Sequence, residues 1–253
     1  MKKHKICKIL LVILAIFLCV AFYELLGICV AYKKQPEVSN TTKKETKNGS
    51  WNECSENTER AVIIEKNPEA LLQRVRLIKN AKKEIILSTF AFQSDESGKL
   101  ILGALHDAAD RGVHIRLLVD GMESWIDMEG NPYFYGLSSH ENVEIKLYNK
   151  ANPLKPWKMM GRMHDKYLIA DGKRYILGGR NTYNYFLGDF PGHKNYDRDV
   201  LVVCDEPEKE NSVNQLLEYF ETIWEQEDSG YFHDNKKLAN RKSVKNAVLE
   251  LQN

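Results

Sequence analysis

His164 and Lys166 are one residue apart in the stretch MHDKYLIADGKRYILGGRN, residues 163–181. In extended backbone, residues two apart share a face, so this imidazole and this ammonium project together while Asp165 points away. Such a pair can hold an anion and attack it: the ammonium supplies fixed positive charge, the imidazole a nitrogen nucleophile or a proton carrier. The flanking residues supply the extended backbone that this requires. HDKYLIA alternates, RYILGG is apolar, and Asp171-Gly172 between them is a strong hairpin signal. Asn181, just past the second strand, is expected level with His164 across the hairpin, where it adds an amide donor. Gly178 and Gly179 remove side chains where backbone has to approach a ligand closely.

Singly, each residue has a plain structural reading: a strand histidine on the surface, a solvated lysine, an aspartate in a turn, a glycine in a bulge. Together, His164, Lys166, Asp171, Gly178, Gly179 and Asn181 fill the pattern H-x-K-x4-D-x6-G-G-x-N. Chance places such a set in a chain of this length on the order of once in 10⁵ to 10⁶ sequences. Charge agrees with an anionic substrate. Seven basic residues against two acidic ones lie between Lys155 and Arg180, whereas everything after Lys34 carries 30 basic against 34 acidic residues. A local positive site in an acidic body suits capture of one phosphate group, and disfavours a nucleic acid partner, which calls for a basic surface over the whole domain.

This pattern resembles the catalytic signature of the phospholipase D superfamily. LGGRN, followed by YFLG and NYDRDVLVV, is most similar to the cardiolipin-synthase-type bacterial members, over roughly residues 61–226. The resemblance implies a covalent phosphohistidine, a second histidine that protonates the leaving alcohol, and no metal or other cofactor. It makes His164 the nucleophile or the acid, and gives the non-bridging phosphate oxygens to Lys166 and Asn181. Gly178, Gly179 and Arg180 then lie beside the substrate. The motif acid falls on Asp171, which at the hairpin reads as structural. It also implies a downstream carboxylate that hydrogen-bonds the histidine; Asp197 is the first choice and Asp199 the second, since parity puts both on one face of their strand.

Such relatives pack two motif copies into one site, and this chain has one. His193-Lys194 lacks the intervening residue, and His4, His106, His114, His140 and His233 have no lysine two residues on. The second histidine then comes from a homodimer mate related by a twofold axis, from the missing half of a longer product, or from a partner chain. The function implied is a membrane-anchored phosphodiesterase or phosphatidyltransferase acting on phospholipids. The alternatives are a single-motif homodimeric nuclease, or a catalytically incomplete half that serves as an interaction module.

The elements around the motif define the expected architecture. A basic tail, residues 1–8, precedes an apolar run, residues 9–32, interrupted only by Glu24. At ~1.5 Å per residue the run reaches ~36 Å, enough to cross a bilayer and too long for the apolar part of a signal peptide. The short basic tail is expected to stay in the cytoplasm, which puts the domain outside. Residues 33–60 are polar and aperiodic and read as a flexible tether. From residue 61, AVIIE, EIILSTFAF, VHIRLLVDG, VEIKLYN and DVLVVCDE read as strands. NPEALLQRVRLIKNAKK, SGKLILGALHDAADRG and EKENSVNQLLEYFETIWEQ read as helices. The alternation predicts an α/β domain, a mixed and mostly parallel sheet sandwiched by helices, over residues 61–226. Long loops interrupt it at 121–142 and 149–163, and a charged tail occupies 227–253. Five cysteines include no C-x-x-C pair, and only Cys54 and Cys204 lie outside the apolar N-terminal segment.

Overall fold

The computed structural model describes residues 2–33, 39–41, 43–44, 59–206, 211–233 and 237–252. They fall into two compact units: Met1–Glu56 with Ala151–Gly161, and Asn57–Lys150 with Arg162–Asn253. The expected tether and Cys54 lie almost wholly outside the described residues.

In the first unit a single helix, α1, runs Lys2–Lys33. Among the described residues it is the one helix long and apolar enough to cross a membrane. Residues Ala151–Gly161 belong to the same unit and contain one 3-10 turn, Pro156–Lys158.

The second unit is one eight-stranded sheet with helices on both faces. Its elements are β1 (Glu59–Ile64), α2 (Asn67–Asn80), β2 (Glu84–Thr89), α3 (Glu96–Asp110), β3 (His114–Asp120), α4 (Gly121–Asp127), α5 (Pro132–Ser138) and β4 (Val143–Tyr148). There follow β5 (Tyr167–Ala170), β6 (Arg174–Gly178), β7 (Asp199–Cys204), α6 (Ser212–Trp224), β8 (Ser229–Tyr231) and α7 (Lys242–Leu251). Local chemistry sets the helix ends. Pro68 stands in the first turn of α2, the Gly98 N–H donates to Asp95 Oδ1 at the start of α3, and Gly112 takes φ +86° just after α3.

The sheet order is β1-β7-β6-β5-β2-β3-β4-β8. Helical crossovers make β2, β3 and β4 parallel, whereas the other five neighbour pairs are antiparallel. Parallel pairing is therefore a smaller share than expected, because the hairpin β5–β6 and the returns through β7 and β8 reverse the chain without a helix. Central strands are buried on both sides. Ile85 and Leu87 join the larger core under α2, α3, α5 and α7, while Ile86 joins a smaller one with Tyr167, Ile169 and Tyr175 under α6. That is why Ile85, Ile86 and Leu87 follow one another without polar alternation.

Two expectations are corrected. The segment 121–142 is not a simple loop: it holds α4 and α5, seven residues each, too short to show a period. The residues after 226 are not a tail. β8 pairs with β4, and Phe232, Val244 and Ala247 are buried, so the core extends to α7. The apolar stripe of α7 is short and broken by lysines, which hides it.

Candidate active site

The hairpin forms as its sequence requires. Tyr167 pairs with Leu177 and Ala170 with Arg174, and the Lys173 N–H donates to Ala170 O across a turn in which Asp171 and Gly172 have φ +56° and +61°. Two successive left-handed residues are what a type I′ turn needs. Strand pairing begins only at Tyr167, so His164 and Lys166 occupy the extended segment leading into β5 rather than the ladder itself. The alternation still holds. The Asp165 carboxylate leaves by the opposite face and accepts from Tyr219 Oη on α6 at 2.8 Å.

His164 and Lys166 meet at Phe90, the residue after β2. The His164 ring stands edge-on to the Phe90 ring at 4.7 Å, and Lys166 Nζ lies 5.1 Å from the same ring. His164 is exposed and Lys166 is buried, so the imidazole faces outward with the ammonium behind it. Lys166 Nζ donates to the His164 carbonyl at 2.7 Å. Burial pushes its pKa down to about 8, against the pull of Asp165, Asp197 and Asp120.

Asn181 is buried, and its Oδ1 accepts from the Ala91 N–H at 3.2 Å, which leaves the amide hydrogens as donors. The glycines serve the chain before they serve a ligand. A Cβ at Gly178 would stand 2.0 Å from Asp199 Oδ1 and 2.7 Å from its Cα, and one at Gly179 would stand 2.0 Å from Asp197 Oδ2. They let the chain around the start of β7 lie directly against the hairpin.

Burial separates the two aspartates that parity leaves equal. Asp199 is fully buried between Arg74 (2.9 Å) and Arg180 (3.1 Å). Asp197 is half-buried over Gly179, close enough to Lys166 to act on its charge, and lines a cleft of roughly 430 Å³ with Glu65, Tyr196 and Arg198.

Two expected site residues lie elsewhere. Arg180 is 1 % exposed; besides Asp199, its guanidinium donates to Asn67 Oδ1, Ile64 O and Glu65 O, so it ties β1 and α2 to the hairpin and has no face for substrate. Its place next to Asn181 gives no warning of this, because alternation turns the two side chains to opposite sides. Asp171 is at the far end of β5, seven residues from His164 or ~23 Å along extended chain. There its carboxylate accepts the backbone N–H groups of Lys82, Lys83 and Glu84.

Phe90 and Asp120 hold the site, although spacing alone does not single them out. Asp120 is buried at the end of β3; it accepts from Arg162 Nε at 2.9 Å and from the Met163 N–H at 3.1 Å, fixing the backbone just before His164. The Arg162 guanidinium lies over Phe90, 4.9 Å from the ring centre. The visible signal for Asp120 is an aspartate followed by glycine at the carboxyl end of an apolar parallel strand, where α/β sheets gather their sites. The carboxyl ends of β2, β3 and β6 and the starts of β5 and β7 all lie along this one edge. The other histidines with described side chains are engaged elsewhere. His106, His114, His140 and His233 pair with carboxylates, and His193 lies against Tyr185.

Residues 74–224 match the family model described as "Cardiolipin synthase, PLD-like domain". The chain is 29 % identical to cardiolipin synthase C of Escherichia coli over 171 residues, covering 62 % of this chain and 34 % of that protein. It spans about a third of the length of the curated relatives it matches, 28 to 38 % for those matched over the longest stretches. In fold it is similar to phosphatidylserine synthase of Haemophilus influenzae, with TM-score 0.54 and 18 % identity, covering 76 % of this chain and 42 % of that one. It is also similar to NucT of Helicobacter pylori, with TM-score 0.51 and 16 % identity, covering 69 % and 99 %. The chain belongs to the phospholipase D superfamily and carries a phospholipase D-like domain of the cardiolipin synthase type.

Proposed function

We propose that this protein is a membrane-tethered phosphodiesterase or phosphatidyltransferase that acts on phospholipid head groups through His164. The observation that carries the reading is the arrangement at Phe90: an exposed imidazole, a buried ammonium behind it, and one aromatic ring against both. In the reaction a ring nitrogen of His164 bonds to phosphorus, the bond from phosphorus to the head-group oxygen breaks, and the departing alcohol takes a proton from a second imidazole. Water or an acceptor alcohol then attacks the phosphohistidine, gives its proton to that imidazole, and regenerates His164. Lys166 and the Asn181 amide face the charge that grows on the non-bridging oxygens. Asp197 accepts the imidazole N–H and fixes the tautomer.

The second imidazole is supplied by another copy of this chain or by a partner bearing its own motif. Two copies about a twofold axis bring two His164 rings to one phosphate. α1 spans the membrane and keeps the domain beside an insoluble substrate. The acidic balance of the chain after Lys34, 30 basic against 34 acidic residues, argues against a polyanion substrate.

Purified full-length protein in detergent micelles, given radiolabelled phosphatidylglycerol or single-stranded DNA, tests the reading. Turnover of lipid and not DNA is expected. Turnover of DNA alone replaces the lipid reading with a nuclease, and turnover of neither by a monomeric preparation identifies an incomplete half.

A further inference from the structure

The geometry points to residues 151–161 as a membrane-seating loop, a segment whose apolar side chains sink just below the headgroups of an anionic bilayer and which is held there by α1. The inference rests on α1 being the membrane span of the proposed function.

The segment reads ANPLKPWKMMG and contains no acidic residue. Leu154 is 78 % exposed, Trp157 45 % and Met160 52 %, with exposed Lys155 and Lys158 between them. Large apolar side chains bared together are a liability in water, and their alternation with lysine and tryptophan is the composition of a lipid interface. Part of the backbone is suited to leaving water, because five of its N–H groups are satisfied within the segment. The Leu154 N–H donates to Asn152 Oδ1, Lys155 N–H to Asn152 O, Lys158 N–H to Lys155 O, Met159 N–H to Pro156 O, and Gly161 N–H to Lys158 O.

α1 carries a matching seat. Along its last third, only Glu24, Gly27 and Ala31 are shielded, positions that share one helical face, and Gly27 alone is buried. A Cβ at Gly27 would come within 2.5 Å of Pro156 Cγ, so the loop rests on the helix where a side chain is missing. Tyr23 Oη donates to the Leu154 carbonyl at 3.0 Å. Tyr23 and Gly27 lie ~8–14 Å of helix before Tyr32, where the apolar run ends. For a ~36 Å run centred on a ~30 Å hydrocarbon layer this places the contact ~5–11 Å below the headgroup–acyl boundary, about the depth to which the apolar side of an interfacial segment sinks. Gly161 precedes His164 by three residues, so a seated loop ties the nucleophile to the lipid surface by at most ~10 Å of chain. A segment whose own sequence carries lysines and no acidic residue matches anionic headgroups rather than the mixed surface of a protein partner.

The test is tryptophan fluorescence of the full chain reconstituted in phosphatidylglycerol–phosphatidylcholine vesicles, with and without lipids brominated at the shallow end of the acyl chain. Bromolipid is expected to quench part of the emission. Trp157→Phe should at least halve that quenched part, and Gly27→Leu should also reduce it by displacing Pro156. Equal quenching in wild type and Trp157→Phe, with the Trp157 share of the emission open to aqueous iodide, overturns the loop assignment. An alkaline carbonate wash reads the span separately. A chain that stays in the membrane while Trp157 is unquenched refutes the loop and leaves the span; a chain washed away although its Trp157 had been quenched refutes the span and leaves the loop. Release of a chain that was never quenched refutes both.

Discussion

The Asp197 carboxylate lies so close over Gly179 that a methyl group there would stand 2.0 Å from its Oδ2 and 2.5 Å from its Cγ. One residue earlier, Gly178 faces the carboxylate, Cα and neighbouring carbonyl of the Asp199 segment. The first neighbour is a half-exposed side chain that can swing away, and the second is buried backbone that cannot. Gly179→Ala should therefore leave the melting temperature within about 2 °C while lowering kcat/KM by ~10–100-fold through a misplaced carboxylate. Gly178→Ala should cost about 1–3 kcal/mol of stability. Thermal melts and turnover measured on both variants check this split.

The two aspartates of YDRD should likewise part company. Asp199→Asn leaves Arg74 and Arg180 buried without their counter-charge, a loss of about 3–5 kcal/mol that should lower the melting temperature by ~10 °C or more. Asp197→Asn should melt like wild type and turn over at least ~10-fold more slowly. Differential scanning calorimetry beside a turnover assay checks both.

Much of this site is legible in the sequence because it is local. Parity puts His164 with Lys166 and turns Asp165 away, Asp171-Gly172 forms the hairpin, and apolar alternation marks the strands. Illegible features depend on distant packing. Nothing near Arg180 reveals that Asp199 and Asn67 will enclose it, and nothing near Phe90 reveals that His164 will arrive from 74 residues downstream. The carboxyl-terminal α7 is hidden for a related reason: its apolar face, short and mixed with lysines, has meaning only against α3 and α5.

Lys166 gives the site a pH signature. Burial holds its pKa at about 8 rather than the usual 10.5, so above pH 8 the free enzyme loses the positive charge that faces phosphate. The kcat/KM profile should fall on its alkaline side near pH 8, and Lys166→Arg, which does not titrate there, should lack that limb. Stability should move the other way. Between about pH 8 and 10.5 the unfolded chain holds the proton that the folded chain has released, so this group adds to stability as pH rises through that window. Paired activity and denaturant-unfolding profiles check the opposed trends.

Asp171→Ala removes the acceptor for three backbone N–H groups at Lys82, Lys83 and Glu84. A loss of about 1–3 kcal/mol is expected, with turnover per folded molecule within a factor of ~2 of wild type. Urea denaturation together with active-site-normalised kinetics checks it; a loss of turnover beyond that of folded protein would give Asp171 a role in the reaction.

In the proposed reaction phosphorus becomes covalently attached to His164. Brief incubation with phosphatidylglycerol labelled with ³²P, followed by an alkaline quench and electrophoresis, should show label on the wild-type chain that acid removes, as expected of a phosphoramidate. His164→Asn should show no label and at least ~10⁴-fold slower turnover, with an unchanged melting temperature because the ring is exposed. Near-normal turnover by His164→Asn, or label that stays on the chain in that variant, would rule out His164 as the nucleophile.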